Sequence, residues 1–435
     1  MKLSFLLSIP LFFCLALPML NVGYAEPERK DFVTISIIID NSGYFDELAS
    51  HLNTLNFHNI TFVILYNSAW NYTLHNATRV DLLKSYGTLI PRIDYIQKYD
   101  IASRKAWVDS ICNDFLTYVG YYPKGIFDYV PDTWTAEYIK KTYNMTYYAG
   151  YCFDQYLIDY MTMRGGMQLP YYASPNHILQ PSNAKGIVVF PHVTWDWIDS
   201  FTIDFAYNTH LQNLMTIFKG NETQAKNHWL KLIDASLMAT SPFGYVTFQT
   251  EWVWMHTYGY QDLLFEWLDT LLKNKVYTFW LYQDIAEWFN ANYKTNPNYY
   301  VNFKSPHSND RVEWYYSNEK RIARYKGKIV SFIDYRTQST DKYRTETQTI
   351  NWDEGWVKNP DNCIDITLYD NIKIDALGGG YLRFNSAEEG FTYVGEIADY
   401  EYGYIKPTVW YQDPITFGII TLGLALGVFI LWKWK

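Results

Sequence analysis

Three short apolar runs that end in ionisable side chains restrict what this chain can fold into. They are residues 35–40 (ISIIID), 187–197 (IVVFPHVTWDW) and 245–254 (YVTFQTEWVW). Runs of this length and composition read as strands. A nearly continuous apolar run reads as a strand covered on both faces, as in a parallel sheet. In α/β barrels and open parallel sheets the carboxyl ends of strands project side chains into the active-site crevice, whereas strand bodies fill the core. That rule selects Asp40, His192, Asp196 and Glu251. Taken singly, each has a plainer reading: Asp40 caps the helix after it, His192 is a hydrogen-bonded core group, and Glu251 pairs with a cation.

The rest of the chain supports the same architecture. From residue 31 to about 293, apolar runs alternate with amphipathic stretches, the pattern of strand–helix units. After 35–40 comes a helical segment to 55, then strands at 60–66 and 88–93. A helix at 107–119 is stopped by Gly120 and Pro123, and further strands are expected at 125–130, 146–153, 187–193, 245–249 and 277–281. Leu263, Leu264, Trp267, Leu268, Leu271 and Leu272 form one face of a late helix. The count approaches a (β/α) barrel of seven or eight strands, complete or not, over 26–296. Beyond Asn296-Pro297-Asn298 the pattern changes to alternating polar and apolar residues. A small antiparallel β-sandwich is expected at 297–407, with strands at 321–335, 364–374 and 381–384.

Both ends suggest an address. Lys2, the apolar residues 3–20 and Gly23-Tyr24-Ala25 have the order of a signal peptide over 1–25. Residues 415–432 (ITFGIITLGLALGVFILW) carry no charge. At helical rise they span a hydrocarbon core of roughly 30 Å. Lys433 and Lys435 in the tail 433–435 place it in the cytoplasm. The expectation is a single-pass protein of the cell membrane with its bulk outside, joined to the membrane helix by a linker at 408–414. A C-terminal lipid-anchor signal is the alternative, and the terminal lysines weigh against it. Five Asn-x-Ser/Thr sequons, at Asn59, Asn71, Asn76, Asn144 and Asn221, would be open to glycosylation in an exported domain. Once Cys14 leaves, Cys112, Cys152 and Cys363 allow at most one internal disulfide. Cys112 falls on the apolar face of its helix and reads as a packed thiol.

Charge and motif content exclude several functions. With 36 basic and 45 acidic side chains the formal net charge is −9, which argues against a polyanion-binding surface, so no nucleic-acid partner is expected. None of the nine histidines stands in HxxxH or HExxH spacing, and no CxxC pair exists to hold zinc. The GxSxG elbow and the phosphate-binding loop pattern are also absent. Carboxylates among aromatics remain, in a chain that is 19% aromatic.

Between residues 34 and 288 the order of elements resembles the polysaccharide deacetylase barrel. The strand 35–40, the next helix, the strand 60–66 and the segment 111–125 (ICNDFLTYVGYYPKG) with its Gly120-Tyr121-Tyr122-Pro123 turn carry the likeness. Asp40 and Asn41 stand where that family has an aspartate pair. Its two metal-binding histidines are not matched, because residues 90–99 (IPRIDYIQKY) contain none. No cofactor is therefore expected; a divalent metal has no local motif and would need Asp40, Asp94 and His192 from separate strands. The related glycoside hydrolase/deacetylase barrels imply cleavage by two carboxyl groups, about 5–5.5 Å apart for retention and about 6.5–9.5 Å for inversion. Glu251 and Asp196 are the expected pair, with Asp40 completing the catalytic set. Trp195, Trp197, Trp252 and Trp254 would stack on sugars, while Asp154, His192 and His256 would orient hydroxyls. The expected function is a membrane-anchored extracellular glycoside hydrolase acting on polysaccharide. The alternatives are a polysaccharide deacetylase and a non-catalytic surface protein that binds glycan or builds the envelope.

Overall fold

The computed structural model describes residues 27–334 except 56–57, 67, 94–95, 97–98, 130–131, 152–166, 177, 179, 199–206, 274–276, 278 and 327, together with 372–378, 381–386 and 392–396. The expected signal peptide, linker, membrane helix, Asp94, Asp154, Cys152 and Cys363 lie outside the described residues. Among the described residues no helix is long and apolar enough to cross a membrane.

One compact unit, Arg29–Ile374 with Phe384–Thr392, is built on an eight-stranded sheet. Its strands are β1 (Asp31–Ile39), β2 (Ile60–Leu65), β3 (Gly87–Arg92), β4 (Gly125–Phe127), β5 (Tyr147–Tyr151), β6 (Tyr171–Tyr172), β7 (Val188–Pro191) and β9 (Gly244–Glu251), the short β8 (Thr240–Ser241) belonging elsewhere. The order is β6-β7-β5-β4-β3-β2-β1-β9. Seven strands run parallel, and β6 adds an antiparallel edge to β7. Eight of the nine residues of β1 are buried, as continuous apolar composition requires of a strand covered on both faces. The expected strand at 277–281 contributes one parallel bridge, Val33 to Phe279.

The sheet curls into a half-barrel whose outermost parallel strands, β7 and β9, meet through the loop after β7. There the Thr194 amide donates to the Thr247 carbonyl (3.0 Å). The Thr247 amide donates to Thr194 Oγ1 (2.9 Å), and Thr209 Oγ1 donates to the Thr247 carbonyl (2.6 Å). A β-bulge at Gly150 shifts the register between β5 and β7. Gly150 has φ +90°, and a Cβ there would meet the Phe127 ring at 2.4 Å, so only glycine fits. The bulge re-aims the end of β5 toward the loop that carries His192.

Ten helices are described: α1 (Phe45–Leu52), α2 (Ser68–Leu74), α3 (Ala77–Tyr86), α4 (Ile101–Asp114), α5 (Thr133–Tyr143), α6 (Leu211–Ile217), α7 (Glu222–Ala239), α8 (Trp252–Tyr258), α9 (Gln261–Lys273) and α10 (Tyr282–Asn292). Asn76, Asp100, Asp132 and Asn221 each begin a helix by accepting an amide three residues on, as short polar side chains do. Two sequon asparagines, Asn76 and Asn221, thus have structural work. Helix α4 runs into a π-helical turn, Phe115–Val119, and ends at left-handed Gly120. Cys112 is a free, fully buried thiol there.

A five-stranded sheet continues the same unit, in the order β13-β12-β11-β10-β8. Strands β10 (Tyr299–Lys304), β11 (Arg311–Tyr316), β12 (Lys320–Tyr325) and β13 (Lys328–Asp334) are antiparallel, and β10 also pairs with β8. Burial alternates along β10 and β11, so one face is packed and the other is wet. The expected single strand 321–335 is therefore a hairpin, turning at Lys326 with φ +48°. Strands β14 (Ile372–Gly378), β15 (Tyr381–Ser386) and β16 (Thr392–Glu396) form a separate three-stranded sheet.

Candidate active site

The carboxyl ends of the parallel strands gather a charged cluster. Asp40 follows β1, Arg92 ends β3, Tyr129 follows β4, His192 follows β7 and Glu251 ends β9. Register places Ile38 opposite Glu251. Side chains two residues apart on a strand share a face, so Asp40 and Glu251 rise from adjacent strands toward the same side.

Glu251 is gripped on one oxygen. Arg92 Nη1 and Tyr129 Oη both donate to its Oε1, each at 2.8 Å. The Arg92 guanidinium also lies over the Tyr129 ring, 4.5 Å from its centroid. No described residue donates to Oε2, the oxygen left for chemistry. Burial alone would raise this carboxyl, but the charge and hydrogen bond of Arg92, the Tyr129 hydroxyl and the nearby His210 together hold it below the ordinary glutamate range.

Asp40 shows the opposite shift. Burial first, then the Glu251 charge, pushes it up to about 7, against the opposing pull of the Val253 amide and Arg92. That amide donates to Asp40 Oδ1 at 3.1 Å. Two neighbouring carboxyls driven apart in this way mark an acid and a base. His192 completes this side of the cluster. Its Nδ1 faces the Tyr151 carbonyl at 3.3 Å, which only accepts, so Nδ1 carries the proton and Nε2 is the acceptor. Burial and His210 lower its pKa to about 3, leaving a neutral imidazole edge-on to Tyr129, with ring centroids 5.8 Å apart.

Other expected residues stand elsewhere. Asp196 is fully buried; its Oδ2 accepts from Ser305 Oγ (2.5 Å) and its Oδ1 from the Ile198 amide (2.9 Å). This carboxylate fastens the loop after β7 to the turn after β10, which corrects its assignment as partner of Glu251. Trp195, Trp197 and Trp252 are also corrected, because their rings are buried and have no face open to a sugar. Trp195 packs with Val193 and Tyr129. Trp197 packs on Trp314 and Tyr316, with centroids 6.0 and 6.2 Å away. Trp252 anchors α8 by donating Nε1 to the Tyr44 carbonyl (2.9 Å). His256 is on the outer surface of α8, 3.0 Å from Glu47. Arg92, Tyr129 and His210 escaped the sequence reading. The strand-end rule reaches Arg92 and Tyr129 once arginine and tyrosine are counted with acids and histidines.

The resemblance to deacetylases implies a metal; of Asp40, Asp94 and His192, the residues it would need, Asp94 lies outside the described residues. Among the described residues no group of three or more His, Cys, Asp or Glu is arranged to hold an ion. The cation beside Glu251 is already supplied by Arg92.

Residues 58–316 match the model of a family described as a domain of unknown function with solved structure, DUF3863. The chain belongs to this family. No curated protein matches it in sequence. Its fold is similar to that of a candidate glycoside hydrolase/deacetylase from Parabacteroides distasonis, with a TM-score of 0.59 at 16% identity, covering 76% of this chain and 93% of that one. At that identity the fold is what is shared. Weaker overlaps, both with a TM-score of 0.35 at 10% identity, link it to a branching enzyme from Pyrococcus horikoshii (60% of this chain, 70% of that) and a candidate polysaccharide deacetylase from Mycobacterium smegmatis (63% and 96%).

Proposed function

We propose that this protein is a carbohydrate-active hydrolase that cleaves glycosidic bonds, with Asp40 as acid and Glu251 as the ionised carboxylate. The observation that carries the reading is the pair of carboxyls on adjacent strand ends, one raised to about 7 and the other lowered. Asp40, protonated near neutrality, gives its proton to the leaving oxygen. Glu251, through Oε2, supplies negative charge to the oxocarbenium-like centre as the glycosidic C–O bond breaks; water then adds to that carbon and its proton restores Asp40. Arg92 and Tyr129 keep Glu251 ionised and aimed, and neutral His192 accepts a substrate hydroxyl at Nε2. A metal-dependent deacetylase is less well supported, since the described side chains offer no ligand set.

The same proposal places the protein outside the cell, held by residues 415–432. Full-length protein would then need detergent for release, whereas a chain ending at 407 would be secreted. The deciding experiment incubates that secreted chain with acetylated and unacetylated polysaccharides and identifies products by mass spectrometry. Shortened chains that disappear in Glu251→Gln support the glycosidase. Acetate release with chain length unchanged would replace it with a deacetylase, and binding without product would leave a glycan-binding surface protein.

A further inference from the structure

Helix α8 starts at the residue after Glu251 and is fixed along its inner side. Trp252 is tied to the Tyr44 carbonyl, the Val253 amide to Asp40, and Met255 is fully buried. These anchors turn positions 254 and 258, one helical turn apart, outward. Both are aromatic, Trp254 40% and Tyr258 54% exposed. Their rings are nearly parallel, with centroids 6.0 Å apart and an interplanar angle of 26°. Tyr260 continues the row at 5.7 Å and 21°. Large aromatic rings left in water forgo burial worth about 2 kcal/mol each, and here two of them, with half-buried Tyr260 beside them, follow the reactive carboxylate within nine residues of chain.

Resting on the hydrolase reading above, we propose that Trp254, Tyr258 and Tyr260 form a stacking platform for successive sugar rings of an uncharged oligo- or polysaccharide leaving the crevice. Sugar rings present C–H-rich faces that lie flat on aromatic rings while their hydroxyls stay in water at the edges. Charge selects the class of chain: the flank carries Glu47 and Asp262 beside His256 and His51, and the protein as a whole has a formal charge of −9, so uronic or sulfated chains are repelled. Because α8 is tied to Asp40 and continuous with Glu251, a chain stacked on it is registered against both reacting groups.

The test measures calorimetric affinity and kcat/KM of the protein, Trp254→Ala, Trp254→Phe and Tyr258→Ala for neutral gluco- and manno-oligosaccharides from dimer to octamer, with a polyuronate series as contrast. The expected result is affinity that rises with chain length, about tenfold weaker binding of long chains in each alanine variant, unchanged binding of the shortest, and recovery in Trp254→Phe. Cleavage or binding that ignores both chain length and the alanine substitutions would overturn the platform while leaving the hydrolase reading in place. A preference for polyuronates would overturn the neutral class. If no glycan is bound or cleaved by the unaltered protein, platform and hydrolase reading fall together.

Discussion

At the scale of single residues, the site depends on how unequally two carboxyls are treated. If Asp40 must be protonated and Glu251 ionised, activity is lost as pH rises through about 7. It is also lost as pH falls below the depressed value of Glu251. A bell-shaped profile of kcat/KM is the expected outcome. Glu251→Gln should remove at least about 10³-fold of the rate with circular dichroism unchanged, and Asp40→Asn about 10²- to 10⁴-fold together with the alkaline limb. Asp40 also leaves a mark on stability. Its folded pKa lies above the unfolded 3.8, so its contribution is intact below pH 3.8 and is lost as pH rises through 7. Asp40→Asn should therefore match the unaltered protein near pH 4 and exceed it at pH 9 by on the order of 4 kcal/mol, read from urea melts. Arg92→Met removes the cation that holds Glu251 down; the acid limb should move to higher pH, at a cost of about 3–5 kcal/mol in stability. Asp40 and Glu251 were legible in the sequence because a charge that ends an apolar run is conspicuous. Asp196 was equally conspicuous and misled, because its partner Ser305 lies 109 residues away.

At the scale of elements, the parallel strands were readable from their unbroken apolar runs. The hairpin over β12 and β13 was not, although Lys326-Gly327 separates the two strands, since one glycine inside an alternating run is a weak turn signal. Nor could the sequence show which tryptophans are buried. On a strand Trp252 and Trp254 would share a face, whereas the chain turns helical at 252, and a period of 3.6 sends the two rings apart. Trp252 therefore behaves as core: Trp252→Ala should cost about 3–5 kcal/mol in a thermal or urea melt.

At the scale of the whole molecule, the boundary expected near 296 is not where the packing ends. β10 pairs with β8, and Trp314 and Tyr316 cover Trp197. A chain cut after 296 would leave Trp197 in water and β8 a bare edge, and it should aggregate in size-exclusion chromatography, where one retaining β10–β13 stays monomeric. The half-barrel has its own weak line. Around β1 the neighbouring strands share long ladders with β2 and β9, but between β7 and β9 the closure rests on Thr194, Thr209 and Thr247. A wall joined along one side by a few threonines behaves like a cuff with a single fastening, able to widen there without disturbing the weave. Amide exchange at Thr194 and Thr247 should run ahead of Ile37 and Ile38, and a bulky glycan could be admitted by a stretch of the rim that never unfolds.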